Sequence, residues 1–286
     1  MRALQFFGVK QMALVDMAEP VLRADEVMLK IHKVGLCGTD FHIYRGDVEV
    51  PIPIVLGHEF VGEVVDVGAD VAEFRVGDRV TAEHVLAPAH SAYAKNISPD
   101  SIIYGKHRQG ALAEYMSIPD KLVHRLPDGV SYDEGVLVEP LAVALHAVKR
   151  AQVKSHDRVL VVGQGPIGLF IDLMLQTVGA QVTSFDLNRE RLQFALTHGL
   201  AQETLPVLKG QSINELLQFK SSPYVDVVFD CAAVDSTVQD GMDVVRPGGK
   251  VVIVGVPVQR IPLDFKKIVF SEVDLIGSSR CVDEFR

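Results

Sequence analysis

The sequence RVLVVGQGPIG, residues 158–168, carries the strongest fold signal in the chain. A run of apolar, mostly β-branched residues leads into a glycine-rich turn, and a helical pattern follows it. In such a turn the first glycine permits the tight bend, the second lets the backbone approach a pyrophosphate, and the third allows helix and strand to pack closely. The helix N-terminus adds N–H donors and a partial positive charge. The turn therefore predicts a dinucleotide site formed by Gly163, Gly165, Pro166, Ile167 and Gly168.

An acidic residue follows the turn at the spacing that a dinucleotide site needs. Asp186 ends the next predicted strand, 23 positions after Gly163. A carboxylate there accepts hydrogen bonds from the ribose hydroxyls of NAD and opposes the 2′-phosphate of NADP, so NAD is favoured. Arg189 and Arg191 come next and leave some tolerance for NADP. The alternative is a domain whose glycines serve only packing. The further predicted cofactor-binding residues are Asp186, Arg191, Val254 and Gly255.

Residues 157 onward alternate buried strands with helices, which indicates a parallel sheet covered on both faces. We predict an α/β fold: a doubly wound Rossmann domain at 151–278, preceded by a domain at 1–150 and followed by a short segment at 279–286. Strands are predicted at 158–163, 181–186, 225–230, 250–255 and 273–277, and helices at 166–178 and 189–198.

The first half of the chain has a different pattern. Short stretches such as 27–34 and 61–67 alternate apolar and polar residues and are separated by glycine-containing turns. This favours an irregular, mostly antiparallel β-barrel. A helix is predicted to begin at Glu139-Pro140, because proline suits a first helical position, and to run to about Arg150.

Composition excludes several classes of protein. The chain has 286 residues, 48 % of them apolar and 23 % charged, with a formal net charge of −9. An acidic surface repels phosphate backbones, so nucleic acid is not an expected partner. The three cysteines are too few for a secreted disulfide framework. Neither a signal peptide nor an unbroken membrane-spanning run is present, so we expect a cytoplasmic protein without a membrane partner.

Three segments of the first half carry side chains that bind metals: CGTDFH at 37–42, GHE at 57–59 and VEP at 138–140. Cys37, His58 and either Glu59 or Glu139 could supply the three protein ligands of a catalytic zinc. Glu139 stands at a predicted helix N-terminus, where the partial positive charge favours the ionised carboxylate at neutral pH. Taken alone, each residue also fits an ordinary structural role, since a lone cysteine is usually a small buried hydrophobe.

Together, these motifs resemble the zinc-dependent medium-chain dehydrogenases, in particular the polyol (sorbitol, galactitol, iditol) and L-threonine 3-dehydrogenase branch. The resemblance covers the whole chain and includes VLGHE at 55–59, VGDRV at 76–80 and PGGK at 247–250. It implies a GroES-like first domain, with the active site in the cleft next to the Rossmann domain. It also implies a secondary alcohol substrate that gives hydride to NAD, and a homo-oligomer, a dimer or a tetramer.

The resemblance further implies roles for individual residues. Cys37, His58 and Glu59 bind the zinc, and Glu139 is a ligand or a partner of the zinc-bound water. Thr39 and His42 relay the proton that the alcohol releases, and an imidazole is well suited to proton transfer near neutral pH.

The sequence departs from the family pattern in two places. Residues 85–110 contain no cysteine, whereas most relatives hold a second, structural zinc there, so we expect one catalytic zinc per chain. Relatives also continue for several tens of residues beyond the strand at 273–277, so the return to the first domain is expected to be truncated. The competing hypothesis is a non-catalytic NAD-binding remnant that acts as an interaction or sensing module.

Overall fold

In the computed structural model the chain divides into two units. The first consists of Met1–Glu139 with Phe285, and the second is Pro140–Glu284. The domain limits drawn from the sequence, 1–150, 151–278 and 279–286, stay a proposal, and Arg286 lies outside the described residues. The structure describes residues 1–206, 211–217 and 224–285.

The first unit is built of short strands, because its apolar and polar residues alternate over short stretches between glycine turns. Its strands are β1 (Arg2–Gly8), β2 (Gln11–Asp16), β3 (Glu26–Gly35), β4 (Ile54–Val55), β5 (Glu59–Val67), β6 (Arg79–Ala82), β7 (Val85–Leu86), β8 (Ile102–Ile103), β9 (Tyr115–Pro119) and β10 (Val123–Arg125). Its helices are α1 (Gly38–Arg45) and α2 (Tyr132–Gly135), and α3 (Val138–Ala151) begins at its end.

Strand pairing in the first unit is antiparallel, which confirms that prediction. The sheets have the orders β2-β1-β4, β10-β6-β5-β3-β9 and β7-β8. Their inward side chains form an apolar core that includes Leu29, Phe60, Val64 and Ile118. The pair β3–β5 sets Gly35 opposite Glu59 and so fixes where the second strand begins.

The second unit contains the parallel sheet predicted from the sequence. Its strands are β11 (Arg158–Val162), β12 (Gln181–Asp186), β13 (Glu203–Pro206), β14 (Val225–Asp230), β15 (Val245–Ile253) and β16 (Asp274–Gly277). Its further helices are α4 (Pro166–Val178), α5 (Arg189–Thr197), α6 (Ile213–Leu217), α7 (Asp235–Val244) and α8 (Phe265–Ser271). The strand order is β13-β12-β11-β14-β15-β16, and all five pairings are parallel.

This strand order reverses direction between β11 and β14, and ligands of doubly wound sheets bind at such a reversal, beyond the carboxyl ends of the strands. The glycine turn leaves β11 at that point. The helix after it, α4, begins with proline at its first position and ends at Gly179 in the left-handed conformation, with φ of 80°. Ile171 and Leu175 of α4 are fully buried against the sheet. Within the described residues, the structure contains no helix with the length and apolar character needed to cross a bilayer.

Candidate functional site

Three side chains of the first unit form a group that could hold a metal ion. Cys37 immediately precedes α1, His58 precedes β5, and Glu59 begins that strand. The ligand atoms of the three residues, a thiol sulfur, a ring nitrogen and a carboxylate oxygen, lie within 4.8 Å of one another. The structure thus brings together three residues that the sequence hypothesis predicted as zinc ligands.

One buried carboxylate ties the two ligand-bearing segments together. Asp40 Oδ2 accepts a hydrogen bond from the backbone N–H of Cys37 at 3.0 Å, and Oδ1 accepts one from Gly57 at 3.3 Å. Oδ1 also lies 3.9 Å from His58 Nδ1. Sequence reasoning missed Asp40. The available signal was an acid three positions after the residue that precedes a helix, which is the spacing of a capping box.

Glycines make room for the group. A Cβ on Gly35 would lie 2.3 Å from Glu59 Oε2, so the Glu59 carboxylate occupies space that only glycine leaves at this position. Gly57 has φ of 90°, a conformation that favours glycine, and it turns the chain immediately before His58. The two glycines therefore help to fix the positions of the His58 and Glu59 side chains.

The electrostatics of the group fit a cation. Burial, opposed in part by a hydrogen bond from the Thr39 backbone, raises the pKa of the Cys37 thiol to about 12. Burial also raises the pKa of Glu59, and the charge of His58 acts in the opposite direction. A bound divalent cation favours the deprotonated form of both groups. One sulfur, one imidazole and one carboxylate are a donor set that zinc accepts, and three protein ligands leave a position open for substrate.

Glu139 lies outside the group of three. It is 4 % exposed in the first turn of α3, and its Oε1 is 3.4 Å from His84 Nδ1. Burial raises the pKa of Glu139 to about 7, with the charge of His58 opposing the shift and those of Glu59 and Asp40 adding to it. This burial acts against the partial positive charge of the helix N-terminus, which favours the ionised carboxylate, so the ionisation of Glu139 at neutral pH stays a prediction. Its role as a zinc ligand stays a hypothesis.

His84 is a second residue that the sequence did not place at the site. Its ring centre lies 5.0 Å from that of His58, and the side chain is 4 % exposed. In the sequence it lies 26 positions after His58, and no ligand spacing links the two. Its approach to Glu139 depends on tertiary structure, so no local pattern could have identified it.

The two residues of the predicted proton relay lie on α1. The Thr39 hydroxyl is 3.6 Å from Cys37 Sγ. His42, three positions further along the same helix face, is half-buried, and its Nδ1 is 2.9 Å from Asp47 Oδ2. No direct bond between Thr39 and His42 is present in the described structure, and the relay stays a proposal.

Residues 85–110, the stretch in which the sequence has no cysteine, are linked to the rest of the unit by an ion-pair network. Glu83 forms an ion pair with Lys95, and its Oε1 lies 3.0 Å from His124 Nε2. Burial acts to raise the pKa of Glu83, but the bonds from His124 and Lys95 outweigh it and lower the pKa. The prediction of one zinc per chain stays a prediction.

The glycine turn of the second unit has the geometry that its sequence predicted. Gly163 has φ of 92°, in the left-handed region. A Cβ on Gly165 would meet no atom within 4 Å, which leaves the backbone open to a ligand. A Cβ on Gly168 would lie 1.9 Å from the Gly163 carbonyl oxygen, so this glycine is required for close packing. Pro166 and Ile167 open α4 beyond the turn.

Asp186 stands beside the turn at the end of β12. Its Oδ2 accepts a hydrogen bond from the backbone N–H of Gln164 at 2.6 Å, and its Oδ1 accepts one from Asn188, also at 2.6 Å. Arg191 Nη1 lies 3.9 Å from Asp186 Oδ2. The predicted acid and the glycine turn are therefore in direct contact.

Val254 and Gly255 follow β15 on the same edge of the sheet. Their N–H groups donate to the Asp230 carbonyl oxygen at 2.9 and 3.0 Å. A Cβ on Gly255 would lie 2.8 Å from the Cys231 carbonyl oxygen, so the two strand ends pack closely here. All the predicted cofactor-binding residues thus lie at the carboxyl ends of β11, β12 and β15 or at the start of the helices that follow.

Two family models match the chain. The model of the alcohol dehydrogenase GroES-like domain matches residues 23–128, and the zinc-binding dehydrogenase model matches residues 166–286. D-arabitol-phosphate dehydrogenase of Enterococcus avium is 31 % identical over 95 % of this chain and 80 % of its own length.

L-threonine 3-dehydrogenase of Pseudoalteromonas atlantica is 33 % identical over 92 % of this chain and 79 % of its own length. Among solved structures, a protein from Sinorhizobium meliloti 1021 assigned to the zinc-binding dehydrogenases and bound to NADP has a TM-score of 0.93 and 28 % identity. That likeness covers 100 % of this chain and 86 % of the other.

Proposed function

This chain belongs to the zinc-binding dehydrogenases of the medium-chain alcohol dehydrogenase family, in the branch of the polyol and L-threonine dehydrogenases, and we propose that it transfers a hydride from a polar secondary alcohol to NAD. The observation that carries the proposal is the convergence of Cys37, His58 and Glu59 within 4.8 Å in a chain that also holds a complete glycine turn with its acid. Either feature alone is compatible with a structural role, and the two together specify a metal-assisted alcohol oxidation.

The ligand set supports the metal part of the proposal. Cys37, His58 and Glu59 would hold a zinc ion, with Glu139 as the alternative to Glu59. When bound, zinc supplies a Lewis acid that lowers the pKa of an alcohol hydroxyl. Asp40 orients the group, because it binds the segments of Cys37 and His58 at the same time. His58 and Asp40 are buried, and Cys37 and Glu59 are partly buried, which would limit the access of water to the reacting hydroxyl.

Thr39 and His42 are the proposed route for the released proton. The Thr39 hydroxyl stands next to the ligand sulfur, where it can accept the proton of the substrate hydroxyl as it gives up its own proton to the next group of the relay. His42 lies one helical turn further toward solvent, and Asp47 holds its ring. A hydroxyl followed by an imidazole held by a carboxylate is an arrangement suited to proton transfer.

The second unit supplies the cofactor site. NAD, when bound, accepts the hydride at its nicotinamide ring. The open backbone at Gly165 and the N-terminus of α4 would receive the pyrophosphate. The Asp186 carboxylate would bind the adenosine ribose and disfavour a 2′-phosphate, and we propose NAD as the preferred cofactor for that reason. Arg191, whose Nη1 is 3.9 Å from the carboxylate, carries a positive charge that reduces this preference for NAD over NADP.

Similarity to D-arabitol-phosphate and L-threonine dehydrogenases suggests the substrate class: a secondary alcohol with a polar or charged neighbour, as in a polyol, a sugar acid or a threonine-like amino alcohol. By the same likeness we propose that the protein is a homo-oligomer, either a dimer or a tetramer. We also propose that it works in the cytoplasm, on small molecules. Light scattering of the purified protein tests the first of these, and cell fractionation tests the second.

The function is tested by metal analysis combined with a substrate panel of polyols, aldonates and amino alcohols, each scored for NADH formation. We expect about one zinc per chain and turnover of one substrate class. Cys37→Ala should lose both zinc and turnover while keeping its affinity for NADH. Cys281→Ala, which changes a buried thiol outside the ligand group, is the matched control and should keep both.

Retention of zinc and activity by Cys37→Ala would contradict the metal assignment. The competing function, a non-catalytic dinucleotide-binding module, would instead be supported by NADH binding in a zinc-loaded protein that oxidises no member of the panel. The complete ligand set favours the enzyme.

A further inference from the structure

Three polar side chains are buried in the second unit, behind the glycine turn. Gln164 belongs to the turn, Asp172 to α4 and Ser184 to β12, and each is 0 % exposed. The Ser184 hydroxyl donates a hydrogen bond to Asp172 Oδ2 at 2.7 Å. The function proposed above gives none of these three side chains a role.

The group is only partly satisfied by hydrogen bonds. Within the described residues, Asp172 Oδ1 and both polar atoms of the Gln164 amide have no hydrogen-bond partner. The amide nevertheless faces Asp172 and, like the Ser184 hydroxyl, acts to lower its pKa. An ionised carboxylate is far more costly to bury than the neutral acid, and the one hydrogen bond from Ser184 with the facing amide does not compensate for that cost.

The group connects the two halves of the dinucleotide site. The backbone N–H of Gln164 donates to Asp186 at 2.6 Å, while its side chain faces Asp172. Ser184 stands two positions before Asp186 on β12, and so the two side chains share a face of the strand. Asp172 is therefore packed between the turn that would receive the pyrophosphate and the strand that carries the ribose acid.

We propose that Asp172 is a positioning residue of the dinucleotide site, which as the neutral acid holds the glycine turn and β12 in the geometry that receives the cofactor, and whose ionisation weakens cofactor binding. The inference rests on the proposed dinucleotide-binding function.

Ionised Asp172 would weaken cofactor binding because its negative charge repels the diphosphate of the dinucleotide. Asp172 is six positions beyond Pro166, the first residue of α4, which places it about 9 Å along the helix from the end that would bind the diphosphate. At roughly 10 Å and an effective dielectric constant of about 20, an added negative charge weakens binding of an anion on the order of tenfold. The same interaction makes ionisation of Asp172 less favourable once the dinucleotide is bound.

The titration falls in an accessible range. Burial raises the pKa of Asp172 to about 8, and Ser184 and Gln164 oppose the shift. Among the described residues, titratable groups at this edge of the sheet include Asp186 at the end of β12, Asp230 at the end of β14 and Cys231 directly after it. Burial and the charges of Asp230 and Asp172 raise the pKa of Cys231. All three groups remain in a variant changed only at position 172, so comparison with the wild type isolates Asp172.

The test is the dissociation constant of NADH, measured by fluorescence titration of the full-length protein about two pH units either side of 8. We expect wild-type affinity to fall on the order of tenfold as the pH rises through this range, and Asp172→Asn to lose that decrease. Ser184→Ala should move the midpoint to higher pH, because the hydroxyl lowers the pKa of Asp172. Asp240→Asn changes another buried aspartate that accepts from a serine, at 2.6 Å, and should titrate like the wild type.

An identical pH profile in the wild type and Asp172→Asn would overturn the positioning role. If that variant does not fold, Ser184→Ala decides the question: an unmoved or lowered midpoint overturns the role, and a raised one supports it. A wild-type protein that binds neither NADH nor NADPH at any of these pH values overturns the proposed function together with this inference. Binding with unchanged profiles in both variants overturns the inference alone.

Discussion

Gly35→Ala probes the candidate metal centre from a position that is not itself a ligand. Gly35 ends β3 opposite Glu59, and a Cβ added there would lie 2.3 Å from Glu59 Oε2 and 3.1 Å from Glu59 Cβ. Its φ is not in the left-handed region, so alanine fits the backbone. The change should therefore move the Glu59 carboxylate and leave the fold intact.

The expected magnitude follows from these distances. Carbon–oxygen contacts under 3.0 Å are essentially never seen for a real Cβ, so the oxygen has to move by at least about 0.7 Å from its 2.3 Å position. Ligand distances in metal sites hold to within about 0.2 Å. A displacement of this size should weaken zinc binding about 10- to 100-fold, or about 1.4–2.7 kcal/mol. The free energy of unfolding without metal should change by less than about 1 kcal/mol, since the carboxylate end is flexible and alanine restricts the unfolded chain.

The assay is zinc affinity by competition with a chromogenic chelator, with chemical unfolding of the metal-free protein measured alongside. Gly38→Ala is the matched control, because a Cβ on Gly38 meets no atom within 4 Å although it adjoins Cys37. It should bind zinc like the wild type.

Equal zinc affinity in Gly35→Ala and the wild type would refute the reasoning, since Glu59 would then not be a ligand in this position. The comparison of Glu59→Gln with Glu139→Gln would in that case identify the third ligand: the substitution that lowers zinc affinity marks it.

Further predictions concern the glycine turn, the ribose acid and the ion-pair network. Gly168→Ala should destabilise the second unit by about 2 kcal/mol or more, because its Cβ would lie 1.9 Å from a backbone oxygen, whereas Gly165→Ala should keep the unfolding midpoint and weaken NADH binding. An unchanged midpoint for Gly168→Ala in denaturant titration would contradict the packing argument. Asp186→Asn should lower the affinity for NADH relative to NADPH about tenfold, measured by paired titrations, and a constant ratio would remove Asp186 from the ribose role. Glu83 has a lowered pKa in the folded chain, so its contribution to stability is present above the unfolded value of 4.5 and is lost as the pH falls through the lower folded value. Glu83→Gln should therefore make the acid side of the stability profile shallower, and an unaltered profile would argue against the network.

Local chemistry explains which parts of the fold could be predicted. The strands at 181–186 and 225–230 have the predicted bounds, because stretches rich in β-branched and aromatic residues that end in an aspartate favour a strand. The glycine turn was equally predictable, since Gly163 has a positive φ, Gly168 is needed for close packing, and Gly165 leaves the backbone open to a ligand. By contrast, β15 begins at Val245 rather than 250, because the sequence VRPGGK contains breakers that normally end a strand.

Short elements escaped prediction. Helix α1, with eight residues, and β13, with four, are too brief for a periodic pattern to stand out. No helix or strand was predicted from 37 to 45, although Asp40 stands at the spacing that caps a helix.

The metal centre marks the limit of local reasoning. Cys37 and His58 are 21 positions apart in sequence, and no short ligand motif links them. Only the pairing of β3 with β5 and the bridge through Asp40 bring them together. Family resemblance supplied what spacing could not, and it still left His84 and Asp172 unnoticed, because their importance depends on which side chains surround them.

The position of Asp40 has a consequence for how the protein would acquire its ion. Asp40 binds the backbone of both ligand segments, so the ligands are arranged when the chain folds. The conformational entropy of arranging them is therefore lost before any metal binds. The site is in this sense preorganised. Capture of zinc should then behave as a simple association, with a rate proportional to free ion and little accompanying change in backbone circular dichroism, unlike domains in which metal uptake and chain folding are one event.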